Sequence, residues 1–247
     1  MFTDVVSASQ SLWLSLLLVL WAALLFGGFL FGRFQAEENR RMPTWTRIAS
    51  SLALTAAGWT WWWVARAGAG GTYARWIAVG MTLGLLGDLF MARLLPVGQP
   101  VLGGIAAFGL GHVAYIAAFL GLGAQAGLSA AGPRWGGWAA WLLVGLSGWY
   151  VAVYRGQRPT ALHWAALLYA LLLASTAGFA TGLAWQASVF VPLAIGGGLF
   201  LLSDLILAGQ LFSGLRFPLI GDVVWLTYGP AQALIVFSVA GALRVLP

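Results

Sequence analysis

Two carboxylates stand in this chain where hydrocarbon is otherwise continuous. Asp88 lies in GLLGDLFMA (84–92) and Asp204 in LLSDLILA (201–208), and each is the only charge of its stretch. A charge at the centre of a bilayer costs roughly 2.5–3.5 kcal/mol on insertion scales, so such residues are usually turned into a bundle and used. Two carboxyls that share one sheltered site titrate as a unit, with a single proton between them. That is the state in which a general acid works beside a general base. The competing reading is structural: each aspartate pairs with a polar neighbour and fixes helix packing.

Further polar groups lie inside the apolar stretches. His112 and Tyr115 are three residues apart and share a helix face. Tyr169, Ser203, Tyr228 and Gln232 are further hydrogen-bonding groups within apolar runs, suited to orienting a water or a carboxyl. His163, just after RGQRPT, reads as interfacial, and Asp222, after Gly221 at the start of the last apolar run, reads as a helix N-cap. Arg93, about one turn beyond Asp88, is either a topology signal at the interface or a phosphate ligand, since arginine grips phosphate with a two-pronged fork. Two histidines, scattered acids and no cysteine give no zinc spacing, disulfide or thiol ligand. No P-loop and no GxSxG elbow is present, and no cofactor is expected.

Composition says what must hold these groups. The chain has 247 residues, 61% of them hydrophobic and 7% charged, with mean hydropathy +0.90. A soluble domain averages about 25% charged residues, so a bilayer is the expected surroundings. Charges, prolines and glycine clusters divide the chain into eight apolar spans, approximately 11–32, 47–66, 74–94, 99–122, 135–154, 161–182, 187–210 and 221–244. Each is long enough to cross as a helix, which alone satisfies its own backbone in lipid. The expected fold is therefore all-α: one integral membrane domain over 1–247, a polytopic bundle of eight transmembrane helices. The first span is too long for the apolar core of a signal peptide and lacks a basic start, so it is read as a retained helix. The break near 181–187 carries the weakest signal, because 160–203 has no charge.

The net charge of +6 comes from twelve arginines spread over short connections. That pattern sets membrane topology and suggests no nucleic-acid partner. Eight arginines (33, 40, 41, 47, 93, 155, 158 and 216) fall in the odd-numbered connections and four (66, 75, 134 and 244) on the side of the termini, which predicts both termini outside. An internal repeat is visible as well. Asp-Leu-x-x-Ala recurs 116 residues on, and FGLGH (108–112) recurs as YGPAQ (228–232) 120 residues on. Four spans separate the copies, an even number, so a duplication would be a parallel 4+4 repeat.

The GD of span three, FGLGHVAY, the LLY at 167–169, GGGLFLLSDLILA (196–208) and YGPAQALI (228–235) together resemble the YhhN-like membrane family, which includes the lysoplasmalogenases. The resemblance runs from about residue 80 onward, with little from the first 70 residues. Gly229 and Pro230 depart from the family pattern, which bears on the shape of span eight rather than its role. The resemblance implies an eight-span hydrolase of a bacterial inner membrane that cleaves the alkenyl ether of a lysophospholipid, lysoplasmalogen. The products would be a fatty aldehyde and glycerophosphoethanolamine or glycerophosphocholine. Asp88 and Asp204 are then the catalytic candidates. The chemistry suits them, since a vinyl ether is cleaved by protonation followed by water capture, much as paired carboxyls divide glycoside cleavage. Two other classes fit the buried acids: a proton-coupled transporter and a non-catalytic lipid-binding protein.

Overall fold

The computed structural model describes residues 2–246, and among them every long element is a helix. Eight helices follow in order: α1 Ala8–Phe31, α2 Thr44–Ala65, α3 Gly71–Met91, α4 Pro100–Gln125, α5 Ala131–Trp149, α6 Ala161–Ala184, α7 Val191–Phe212 and α8 Ile220–Val245. Each expected span finds its helix within a few residues. The weakest boundary resolves as a short turn, 185–190, between α6 and α7.

Seven of the eight are long and apolar enough to cross a membrane; α2 is the exception. It has the length, at 22 residues, but carries Arg47, four serines and threonines in its first half and five tryptophans. Its buried face is correspondingly polar, with Thr46, Ser50, Ser51 and Thr55 all turned inward. The protein is thus an all-helical, multi-pass membrane protein whose least apolar long helix lies against its interior.

The neighbours form a ring. Helices α2, α3, α4, α6, α7 and α8 pack in succession, and α8 closes back on α2 and α3. Helix α1 lies outside against α2 and α8, and α5 outside against α6 and α7. Small residues permit the tightest approach: a Cβ at Gly178 would stand 2.6 Å from the Trp138 Cα, so α5 and α6 touch backbone to backbone. Pro230 sits inside α8, which nevertheless continues unbroken to Val245. Asp4 and Arg244 form a salt bridge of 2.6 Å, so the two ends of the chain meet at one end of the bundle. That hydrogen bond holds the Asp4 carboxyl below the usual carboxylate range.

Asp222 departs from its expected role. The residue that precedes α8 is Leu219, in the left-handed conformation, and Asp222 lies in the first turn, fully buried. Its two oxygens accept the backbone N–H groups of Arg41 (2.6 Å) and Met42 (2.8 Å). The carboxylate therefore ties the α1–α2 connection to α8 rather than capping its own helix. Buried backbone donors need partners, and Arg41 and Met42 lie beyond the short 3-10 turn of this connection, Ala36–Glu38, and before α2 begins. His163 is also more structural than its position suggested. It is buried, and its Nδ1 accepts from the Thr160 amide at 3.1 Å, closing the start of α6.

Candidate functional site

A cavity of roughly 560 Å³ opens in the ring, and both aspartates line it. Its walls come from one end of the bundle only: the α1–α2 connection, the ends of α3, α5 and α7, and the starts of α2, α4, α6 and α8. Charged and polar groups (Glu37, Glu38, Arg40, Arg47, Arg93 and Gln210) ring its outer part, whereas Phe108, Leu173, Leu201 and Leu205 make an apolar interior. Trp149 and Val153 close one side, where α5 ends in a π-helical turn over Tyr150–Tyr154. Single π turns of this kind often mark functional sites.

The two carboxyls have different surroundings. Asp88 is buried, three residues before the end of α3. Its Oδ2 accepts from the Ser51 hydroxyl at 2.5 Å and from the Tyr228 hydroxyl at 3.1 Å. Behind Tyr228 a one-way chain continues. Gln232 Nε2 donates to the Tyr228 oxygen at 3.2 Å, and Gln232 Oε1 accepts from Tyr115 at 2.8 Å. Since Tyr228 receives the amide hydrogen, its own proton is directed at Asp88. Asp88 therefore holds two donors, the setting of an ionised carboxylate.

Asp204 is half-buried and lies eight residues before the end of α7. Asp88 stands nearer the end of its helix because α3 stops before the expected span end at residue 94. It ends in a paired C-terminal turn, with the Arg93 amide on Phe90 O and the Leu94 amide on Leu89 O, and with Arg93 left-handed at φ 56°. Asp204 is hydrogen-bonded to the Tyr169 hydroxyl. That hydroxyl also lies 3.4 Å from His112 Nε2. His112 Nδ1 is 3.1 Å from the Thr176 hydroxyl, which spends its own hydrogen on Leu172 O at 3.0 Å. Thr176 can then only accept from Nδ1, so Nε2 is the bare acceptor of a neutral ring. The aromatic faces of Phe200 and Tyr169 pack against the imidazole.

The structure thus brings Asp88, Tyr228, Gln232 and Tyr115 into one connected set and Asp204, Tyr169 and His112 into another. Asp88, Asp204, Tyr169 and Tyr228 line the cavity, while His112, Tyr115 and Gln232 stand behind it. Ser203 lies on the cavity wall, but its hydroxyl is spent on Val224 O at 3.0 Å, joining α7 to α8. Arg93 is exposed at the mouth. Two participants escaped the reading of the sequence: Ser51, the closest partner of Asp88, and Arg47, whose guanidinium stacks 5.2 Å from the Trp225 ring centre. The SS pair at 50–51, a polar break inside a helix, was the available signal for the first. Among the described residues no three His, Asp or Glu side chains gather as a metal site.

Fold and site together define a polytopic helical membrane protein with a carboxyl-lined chamber reached from one end. The chain belongs to the YhhN family, whose model matches residues 42–239. The match begins at Met42 and so takes in α2, earlier than the motifs alone suggested. No curated protein and no solved structure matches the chain.

Proposed function

We propose that this protein is a hydrolase that cleaves the vinyl ether of a lysophospholipid inside the bilayer. Asp204 would be the proton donor and Asp88 the ionised base. The observation that carries this reading is the unlike hydrogen bonding of two carboxyls on one cavity. Asp88 is satisfied as an acceptor. At Asp204 one tyrosine hydrogen faces two acceptors, the carboxyl and His112 Nε2. A proton on Asp204 resolves this, with Asp204 donating to Tyr169, and Tyr169 to His112.

In the reaction, Asp204 protonates the β-carbon of the C=C–O unit, and the double-bond electrons form the new C–H bond. The resulting oxocarbenium ion lies near the negative Asp88. Water adds to its α-carbon as Asp88 takes the water's proton. In the collapse of the hemiacetal Asp88 gives its proton to the leaving oxygen as the C–O bond breaks, and Asp204 takes the proton of the hemiacetal hydroxyl as its C=O forms, giving a fatty aldehyde and a glycerophospho alcohol. One water is consumed and both carboxyls are restored.

The neighbour pattern supports a parallel 4+4 duplication. Each half packs sequentially, and the contact of α4 with α6 is matched by that of α8 with α2. Ser51 and Tyr169, 118 residues apart, then hold equivalent places beside the two aspartates. A proton-coupled carrier needs a route to both faces, whereas the residues lining this chamber come from one end.

The test is to incubate purified protein with lysoplasmalogen and assay free aldehyde by mass spectrometry. Asp88→Asn and Asp204→Asn should each lower turnover by about 10²–10⁴-fold, the usual worth of general acid–base catalysis, while folded protein still accumulates. Undiminished aldehyde release from either variant removes the pair from the reaction. Uptake into proteoliposomes without product would select a carrier.

A further inference from the structure

Arg47 stands in the first turn of α2, four residues before Ser51, whose hydroxyl binds Asp88. Residues four apart share a helix face, so Arg47 lies about 6 Å nearer the mouth along the helix axis, at ~1.5 Å per residue. A guanidinium has five N–H donors. Here Nη2 donates to Thr44 Oγ1 at 3.2 Å, and Nε is buried with no hydrogen-bond partner. Arg40 Nη2 donates to the same Thr44 oxygen at 3.0 Å, so two guanidinium groups converge on one hydroxyl. Arg40 is answered by Glu38 and by the Met42 carbonyl, whereas no carboxylate forms a salt bridge with Arg47 among the described residues. A half-buried cation on the chamber wall, with one inner donor unpartnered and a second arginine on the same hydroxyl, has the chemistry to hold an anion.

We propose that Arg47 anchors the phosphate of a single-chain lipid whose tail lies along the apolar wall of the same cavity. The inference rests on the hydrolase reading for the place of the scissile bond, and on the surroundings of Arg47 for the anion. The spacing agrees. From phosphorus to the ether oxygen at the far carbon of glycerol is five single bonds, about 6 Å when extended, at the ~3.5 Å per three bonds of an extended chain. That length is of the same order as the axial offset between Arg47 and Ser51, so a lipid held by its phosphate at Arg47 has its ether bond within reach of the Asp88 end of the chamber. Arginine suits the task because its planar fork meets two phosphate oxygens at once. Trp225 holds the fork in place from one face. Arg93, exposed at the mouth, contributes charge rather than a fixed contact.

The test measures binding without turnover, by native mass spectrometry of the full chain in detergent. The probes are a non-cleavable 1-O-alkyl lysophospholipid and the 1-O-alkylglycerol of the same chain length, with inorganic phosphate as competitor. Wild type should prefer the lysophospholipid by tenfold or more. Arg47→Met should erase that preference while leaving alkylglycerol affinity within twofold, and Arg47→Lys should keep an intermediate preference. Equal affinity of wild type for the two probes, or full preference in Arg47→Met, overturns the proposal. Displacement of the lysolipid by an equal concentration of inorganic phosphate does so too, since a soluble anion is then the ligand. If Arg47→Met does not accumulate, Arg47→Gln and Arg47→Lys carry the same comparison. Failure to release aldehyde from a vinyl ether lipid would sink the hydrolase reading and leave these outcomes standing.

Discussion

Tyr169 has one hydroxyl hydrogen and two acceptors, and the proposed chemistry turns on which receives it. Tyr169→Phe removes the link between Asp204 and His112, and kcat should fall about 10–100-fold with KM little changed, as expected when a proton donor loses its positioning. Ser51→Ala takes one of two donors from Asp88, and Tyr228→Phe takes the other. Each should cost less than the loss of the carboxyl, and the double variant should cost more than either alone, because the two act on one oxygen. Steady-state kinetics on the three variants checks both statements. The tyrosines and aspartates were legible in the sequence because a polar atom inside hydrocarbon must be answered for. Ser51 and Arg47 were not: serine is unremarkable in a helix, and an arginine near a span end reads as a topology signal.

At the scale of elements, the site depends on loops and helix ends being held at fixed depth. Asp222 does this for the α1–α2 connection. Asp222→Ala leaves one buried and one part-buried amide without acceptors and should destabilise the protein by about 2–3 kcal/mol, read by thermal unfolding in detergent. The Gly178 contact does the same for α5. A side chain there meets backbone, which cannot step aside, so Gly178→Val should cost about 1–3 kcal/mol and loosen the wall carrying Trp149. Helix positions could be read from apolar length because lipid leaves the backbone no alternative. The end of α3 could not be read in the same way, since its stop is a backbone turn built around a left-handed arginine, a residue with no special preference for that shape.

For the whole molecule, the meeting of Asp4 with Arg244 has a topological meaning. Ends that touch require an even number of crossings, so α2 should span the membrane with the seven more apolar helices. Reporters fused to the two termini should then give the same sidedness; opposite signals would mean that one helix lies outside the lipid. The pair itself is exposed and adds little stability. The polar residues of α2 are turned inward, a fact about neighbours that a linear scan of hydropathy does not contain.

The one-ended chamber implies an inequality between the two monolayers. On the hydrolase reading, substrate in the sheet of lipid level with the mouth would reach the acids by lateral diffusion alone, whereas that in the far sheet would first have to flip across. In liposomes loaded on one side, consumption should therefore stop near the fraction of lipid facing the mouth and resume only when a scramblase is added.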